Sequence, residues 1–323
     1  MRIVYLFLDG VGIGPDDADT NPFVTARLPF LDRRLGDRPF LDRPRLERRR
    51  ASVFPLDATL GVEGLPQSGT GHASLLAGIN GPRRFGRHFG PWVPVRLRPE
   101  VEDRSFLRRA VEDGRRVVFA NAVPRRWAGA SDRRITGHTL AARASGLLTR
   151  HEEAVARGEA VPSELGLDRW IRHTGQVELG PLPPRSAGHR VGGLAESADL
   201  VAFAHYDTDQ VGHEGSLPEA RSALERVDAF LAGVAESVPD DTLVLVVSDH
   251  GNLEAVGVGH TRNPALGILL GPGAPRRSAE LGDLTDVAPA LARWLGGTPD
   301  SRHPSEPSGP PGAGARAQSL PTG

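Results

Sequence analysis

Three short apolar runs in this chain each end on acidic residues, and that pattern narrows the fold more than any other feature. Ile3 to Leu8 leads into Asp9, Leu200 to Ala204 into Asp207 and Asp209, and Leu243 to Val247 into Asp249. Continuous rather than alternating apolar runs are the signature of strands buried on both faces, as in the parallel sheets of α/β proteins. An acidic residue just past such a strand sits at the carboxyl edge of the sheet, where α/β proteins bind ligands. Taken singly, Asp9 reads equally well as a turn or helix-cap aspartate. Three strand ends of this kind, with His213, His250 and His260 close behind in the second half, are hard to explain as unrelated turns. The tightest of them is Ser248-Asp249-His250-Gly251-Asn252, an aspartate and a histidine side by side at a strand end, which reads as the corner of a metal site.

The remaining chain is read around that pattern. The small, glycine-spaced stretch Gly64 to His72 leads into the apolar segment Ala73 to Gly78, which places Ser68 or Thr70 at a helix N-terminus. Free N–H groups and the helix dipole favour an anion there. Alone, such a hydroxyl is more simply an N-cap than a nucleophile facing phosphate. Arg83, Arg84, Arg87 and His88 then form a basic cluster that can hold a phosphate or can be plain surface. Arg27 to Arg50 reads as a solvated face with one amphipathic helix. From about Pro94 to Ser197 the character changes. Glu100 to Gly114 and Thr139 to Arg157 read as helices and Arg116 to Ala120 as a strand. Here His138, His151, His173 and His189 are scattered without metal-type spacing, and each reads as surface or structural. Asp209 and His213 are four apart, which puts both on one face of a helical turn. Leu217 to Val238 and Leu284 to Leu295 read as amphipathic helices, and Leu266 to Leu270 as a further strand. The expected organisation is a catalytic core of 1–94 and 198–296, an inserted cap of 95–197, and a disordered Pro/Gly/Ser-rich tail of 297–323.

Composition removes several mechanisms. All 39 basic residues are Arg, so lysine Schiff-base and P-loop chemistry are excluded, and with no Cys so are disulfides, thiolate metal sites and cysteine nucleophiles. A net charge of -1 lacks the basic footprint of a nucleic-acid or membrane-surface binder. Met1 to Leu8 is too short, and wrongly flanked, for a signal peptide or membrane span, so the expected location is cytoplasmic. Carboxylate and imidazole ligands without sulfur suit Mn or Zn ahead of Mg. The ligand-type residues suffice for two divalent ions, and a two-metal site clamps the attacking and leaving oxygens of a phosphoryl displacement.

The order Asp9-Gly10, Ser68-x-x-x-His72, Asp209-x-x-Gly212-His213, Asp249-His250-Gly251-Asn252 and His260-Thr261-x-Asn263 resembles the alkaline phosphatase superfamily. The resemblance is closest to the branch of cofactor-independent phosphoglycerate mutase and phosphopentomutase. It covers about residues 1–90 and 198–296, and Leu284 to Pro289 is similar to that superfamily's last helix. It implies a mostly parallel sheet sandwiched between helices, with a small cap. It also implies one metal held by Asp9, Ser68, Asp249 and His250, and a second held by Asp209, His213 and His260. Ser68 is then the nucleophile, with Thr70 as fallback, His72 supports its turn, and Asp207 is structural. The mutases carry a longer insertion with an Arg-, His- and Asp-Arg-lined substrate site. Here the insertion is about a hundred residues, still enough for a small domain, and only Asp132-Arg133 is reminiscent of that set. The expected activity is therefore phosphoryl transfer through a phosphoserine on a small phosphorylated metabolite. A phosphohydrolase is preferred because a small cap excludes less water; a phosphomutase is the alternative. A non-catalytic metal- or phosphate-binding protein is the second alternative, disfavoured by the complete ligand set. Substrate and oligomeric state are not encoded in these motifs.

Overall fold

Both faces of strand β1 (Arg2–Leu8) are covered, which is why its sequence is apolar without alternation. Val4, Leu6 and Leu8 point into one core; Ile3, Tyr5 and Phe7 point into another on the opposite face. The same split holds for β5 (Leu200–His205) and β6 (Thr242–Val247), which flank β1 in parallel, Phe7 pairing with Ala204 on one side and Val247 on the other. The computed structural model describes residues 1–129 and 134–297; the Asp132-Arg133 pair and nearly all of the expected tail lie outside these described residues.

With β2 (Leu46–Arg48), β3 (Ala51–Leu56), β4 (Val117–Phe119) and β7 (Ala265–Leu270), these strands form one sheet in the order β2-β3-β7-β6-β1-β5-β4. The block β6-β1-β5-β4 is parallel, whereas β7 runs antiparallel to both β6 and β3, and β2 antiparallel to β3. β3 therefore shares the direction of β1, so five of the seven strands run one way. One face is packed by the helices Pro184–Gly193 and Leu217–Ser237, the other by Ser68–Ala77, Gly137–Ala144 and Val287–Trp294. The result is an α/β sandwich, with the parallel carboxyl edge carrying Asp9, Asp207 and Asp249.

Residues 95–197, expected as a cap, are in part continuous with this sandwich. β4 falls inside the segment and adds to the sheet by pairing with β5, Phe119 opposite Ala202. Beyond Phe119 the Asn121 side chain continues the ladder, donating to the Ala204 carbonyl (2.7 Å) and accepting from the Ala204 N–H (2.8 Å). The helix expected over Glu100 to Gly114 is broken at Ser105, whose hydroxyl caps a second helix by accepting from the Arg108 N–H. The one expected over Thr139 to Arg157 is likewise two pieces, Gly137–Ala144 and Glu152–Ala156, separated at Gly146 with a positive φ. Arg27 to Arg50 carries the short helix Pro29–Leu35 and strand β2, with the apolar faces of both buried.

Candidate metal centre

Ser68 is the first residue of a helix (Ser68–Ala77) that is buried along its whole length. The glycine spacing lets it lie against the β6 end: a Cβ on Gly71 would stand 3.0 Å from the Asp249 Cβ, closer than ordinary packing allows. This approach brings Ser68 Oγ to 3.0 Å from His250 Nε2. Thr70, the fallback nucleophile, is turned elsewhere. Its hydroxyl reaches the Gln67 and Phe89 carbonyls (3.3 and 3.4 Å) and accepts from the Phe89 N–H (3.2 Å), holding the loop that follows the basic cluster.

Around Ser68 stands the first group of ligand-type side chains. His250 Nε2 lies 3.5 Å from Asp9 Oδ1 and 3.5 Å from Asp249 Oδ2. Ligands on a tetrahedral ion at about 2.0–2.1 Å are separated from one another by roughly 3.3 Å, so these spacings, with Ser68 included, match the edges of one coordination shell. Asp9 Oδ1 and Asp249 Oδ2 are buried without any hydrogen-bond partner. Buried carboxylate oxygens are rarely left so. Burial, then the neighbouring Asp249 and Asp209 charges, pushes the Asp9 carboxyl well above its usual range, and burial raises Asp249 as well. Burial, aided by His260, lowers His250 to about 4, so its ring is neutral at physiological pH. Its Nδ1 faces the Gly251 carbonyl at 3.3 Å, which assigns the proton there and leaves the Nε2 lone pair toward Ser68. Orphaned acid oxygens and a neutral imidazole converging on one point fit a divalent cation.

The second group is contiguous with the first. The helix Asp207–Glu214 follows β5, and Asp209 and His213 share its inner face, His213 Nε2 3.4 Å from Asp209 Oδ2. His260 Nε2 lies 3.6 Å from Asp209 Oδ1 and 2.9 Å from His213 Nε2, while its Nδ1 is fixed by the Pro66 carbonyl at 2.8 Å. Burial alone would raise Asp209, but the hydrogen bond from His260, the His250 ring and Asn252 together hold it down to about 2. Asn252 donates to Asp209 Oδ1 at 2.7 Å and its backbone carbonyl at 3.1 Å, linking the two groups. All seven expected ligands are thus brought together, with His250 between the two sets. Asp207 stands apart, paired with Arg169 at 3.0 Å. His72 is buried with Nε2 3.4 Å from Asp249 Oδ2, its ring against Phe7 and His138.

The basic cluster is less engaged. Arg84 is ion-paired with Glu100, and His88 meets the Val62 carbonyl at 3.2 Å; Arg83 and Arg87 are exposed. The four histidines scattered through 95–197 behave as structural or surface groups. His138 bonds the Tyr5 hydroxyl at 3.0 Å, His151 the Val123 carbonyl at 2.8 Å, His173 packs on Trp127, and His189 pairs with Glu236.

One organising residue was not legible as such. Glu254 is fully buried, and its carboxylate collects four donors. Oε2 accepts from the Gly12 N–H (2.9 Å) and the Asn252 N–H (2.8 Å). Oε1 accepts from the Thr261 hydroxyl (2.6 Å) and the Asn263 side chain (3.0 Å). It thereby ties together the loops that carry Asp9, Asp249-His250 and His260. Its sequence signal is only an acidic residue shortly after Asp249-His250.

Comparison with known proteins finds similarity in sequence and in fold. The family model described as the metalloenzyme superfamily matches residues 191–298, the stretch that carries Asp209, His213, Asp249, His250 and His260. A 2,3-bisphosphoglycerate-independent phosphoglycerate mutase of Cereibacter sphaeroides is 33% identical over 153 residues, covering 43% of this chain and 30% of that protein. One of Chloroflexus aggregans is 36% identical over 118 residues, covering 32% and 22%. The matched stretches thus span less than a third of those relatives' length. In fold, the chain is similar to the phosphoglycerate mutase of Leishmania mexicana, with a TM-score of 0.57 at 12% identity over 94% of this chain and 97% of that one. It is equally similar to a protein of Pyrococcus horikoshii, with a TM-score of 0.56 at 14% identity over 91% and 96%. Over residues 191–298 the chain is thus similar in sequence to the metalloenzyme superfamily, and its α/β sandwich presents these ligand-type residues at one sheet edge.

Proposed function

We propose that this chain transfers a phosphoryl group through a covalent phosphoserine at Ser68, using two divalent ions, Mn or Zn ahead of Mg. One would be held by Asp9, Ser68, Asp249 and His250, the other by Asp209, His213 and His260. The observation that carries the reading is Ser68 Oγ, 3.0 Å from a neutral His250 Nε2 and flanked by the orphaned oxygens of Asp9 and Asp249. In such a site the bound ions neutralise phosphate charge and lower the pKa of the serine hydroxyl.

The chain's own residues account for the remaining requirements. Ser68 gives up its hydroxyl proton as Oγ attacks phosphorus; the Oγ–P bond forms as the ester P–O bond breaks, and the departing alkoxide takes up one proton, so none is gained or lost overall. A second oxygen nucleophile then attacks the phosphoserine and breaks the Oγ–P bond, regenerating the serine. His250 orients Ser68 and, being neutral, does not offer a competing cation to the incoming phosphate. Asn252 fixes the rotamer of Asp209, and the Pro66 carbonyl fixes the His260 ring.

The identity of the second nucleophile separates two readings. The phosphoglycerate mutase relatives support a hydroxyl of the same substrate, making the protein a phosphomutase. Hydrolysis is favoured by the open flank of the site, where the His213 side chain is 44% exposed and water has access. The substrate in either case is a small phosphorylated molecule. No helix among the described residues is long and apolar enough to cross a membrane.

The test is to load the protein with Mn or Zn and offer 3-phosphoglycerate, other phosphomonoesters and a phosphodiester. Conversion to 2-phosphoglycerate without free phosphate establishes the mutase, and phosphate release establishes the hydrolase. Ser68→Ala must abolish labelling by the phosphoryl group; undiminished turnover in that variant moves the nucleophile away from Ser68. Metal uptake that is lost in Asp249→Ala, together with inactivity on every ester, would leave a metal-binding protein without catalysis.

A further inference from the structure

A cavity of about 380 Å³ opens beside the metal centre at the carboxyl ends of β4 and β5, a size typical of small-molecule sites. Asn121 at the end of β4 and Tyr206 at the end of β5 both line it. β5 is the neighbour of β1, so the cavity lies about two strand spacings, roughly 10 Å, from Asp9. Tyr206 is the shared wall: its ring centroid is 6.4 Å from that of His72, which itself abuts Asp249. A ligand with its phosphate at Ser68 can therefore place the rest of its skeleton here.

The lining states what that skeleton is. Val123, Trp127, Ile135 and Leu148 supply the apolar surface, with Trp127 still 44% exposed. The exposed guanidinium of Arg134 adds a second flat surface suited to an aromatic face. None of the described lining residues is acidic. Its main neutral polar side chains are already matched. Both ends of the Asn121 amide are committed to Ala204, and the Thr136 hydroxyl takes the Tyr206 hydroxyl at 2.9 Å and bonds Thr139 at 2.9 Å. A neutral polyol would find few open partners there. We propose that this cavity holds a flat aromatic group in the alcohol part of the phosphate ester. Resting on the phosphoryl-transfer reading above, this names its substrate class as phosphomonoesters with an aromatic ring a short linker away from phosphorus.

The experiment compares three esters of aliphatic alcohols, which hold leaving-group chemistry similar: phenethyl phosphate, glycerol phosphate, and adenosine monophosphate as the nucleobase-bearing case. Release of the alcohol is followed with the metal-loaded protein, so that a mutase, too, gives a first-turnover signal. The expected kcat/KM for phenethyl phosphate exceeds that for glycerol phosphate by about tenfold or more. That ratio falls by about tenfold in Trp127→Ala and in the cavity-filling Ala128→Phe. A preference for adenosine monophosphate over phenethyl phosphate assigns the ring to a nucleobase. A ratio near one in the wild type, or one that neither variant changes, overturns the proposal. Direct titration of phenethyl alcohol into the metal-free protein separates the two inferences. If no ester releases alcohol, the phosphoryl-transfer reading fails; binding of the free alcohol that is lost in both variants still upholds the cavity, and no binding overturns it.

Discussion

Replacing Glu254 should dismantle the candidate metal centre without touching any of its seven ligand-type residues. Its carboxylate is the common acceptor for the Gly12 and Asn252 N–H groups and for the Thr261 and Asn263 side chains. In Glu254→Ala the two backbone donors stay buried and lose their partner, at about 1–3 kcal/mol each. Thr261 and Asn263 are only part-buried and can turn to water, so they add little. The expected destabilisation is about 2–6 kcal/mol, a large share of the ~5–15 kcal/mol that holds a typical domain together. Glu254→Gln is the discriminating control. Its amide oxygen can keep both backbone N–H groups, the Thr261 hydroxyl can reverse, and the Asn263 amide can flip to accept. What remains lost is charge assistance, about half the strength of such bonds, so a cost of about 1–2 kcal/mol is expected. Urea unfolding in chelator measures stability, and titration with Mn or Zn measures affinity; the Ala variant should lose at least tenfold in affinity and the Gln variant less. A Glu254→Ala protein within about 1 kcal/mol of wild type and unchanged in metal affinity would refute the reasoning.

Three further perturbations follow from the same geometry. Gly10 has a φ of +65°, and a Cβ there would stand 2.4 Å from Asp209 Oδ1, so Gly10→Ala should cost about 1–2 kcal/mol in backbone strain alone and weaken metal binding by displacing Asp209; unfolding curves and a metal titration check both. Asn121→Ala removes both partners of Ala204 where β4 has already ended, and should cost about 2–3 kcal/mol in urea unfolding; a loss under 1 kcal/mol would show that water replaces the amide. Burial, then the nearby His72, holds His138 well below its ordinary pKa, so the unfolded chain takes up a proton that the folded one refuses. Its contribution is complete above about pH 6.5 and is lost as pH falls below that value, by at most about 1.4 kcal/mol per pH unit. Urea unfolding at pH 5 to 8 should give a flatter acid limb for His138→Phe; an unchanged slope would exclude His138 as its source.

What the sequence made legible is governed by how local the determining physics is. The strands β1, β5 and β6 announce themselves because burial on both faces demands unbroken apolar runs, and the acids that follow them are forced to the same sheet edge by parallel pairing. Asp209 and His213 were readable as a pair because one helical turn sets their relation. β3 was not read, although it is buried, because Pro55 and Ser52 interrupt its apolar pattern and its pairing with β7 is decided over two hundred residues of chain. The pairing of β4 with the sheet is not legible for a related reason. Val117–Phe119 is too short to declare whether it belongs to a cap or to the sheet, and only its parallel contact with β5 and the Asn121 side chain settle the matter. Glu254 is the extreme case. Its role exists only once three loops distant in sequence converge, and nothing in its immediate neighbours distinguishes it from a surface acid. The ligand-type residues of the candidate centre are thus encoded locally, whereas the carboxylate that keeps them in register is encoded only by the finished fold.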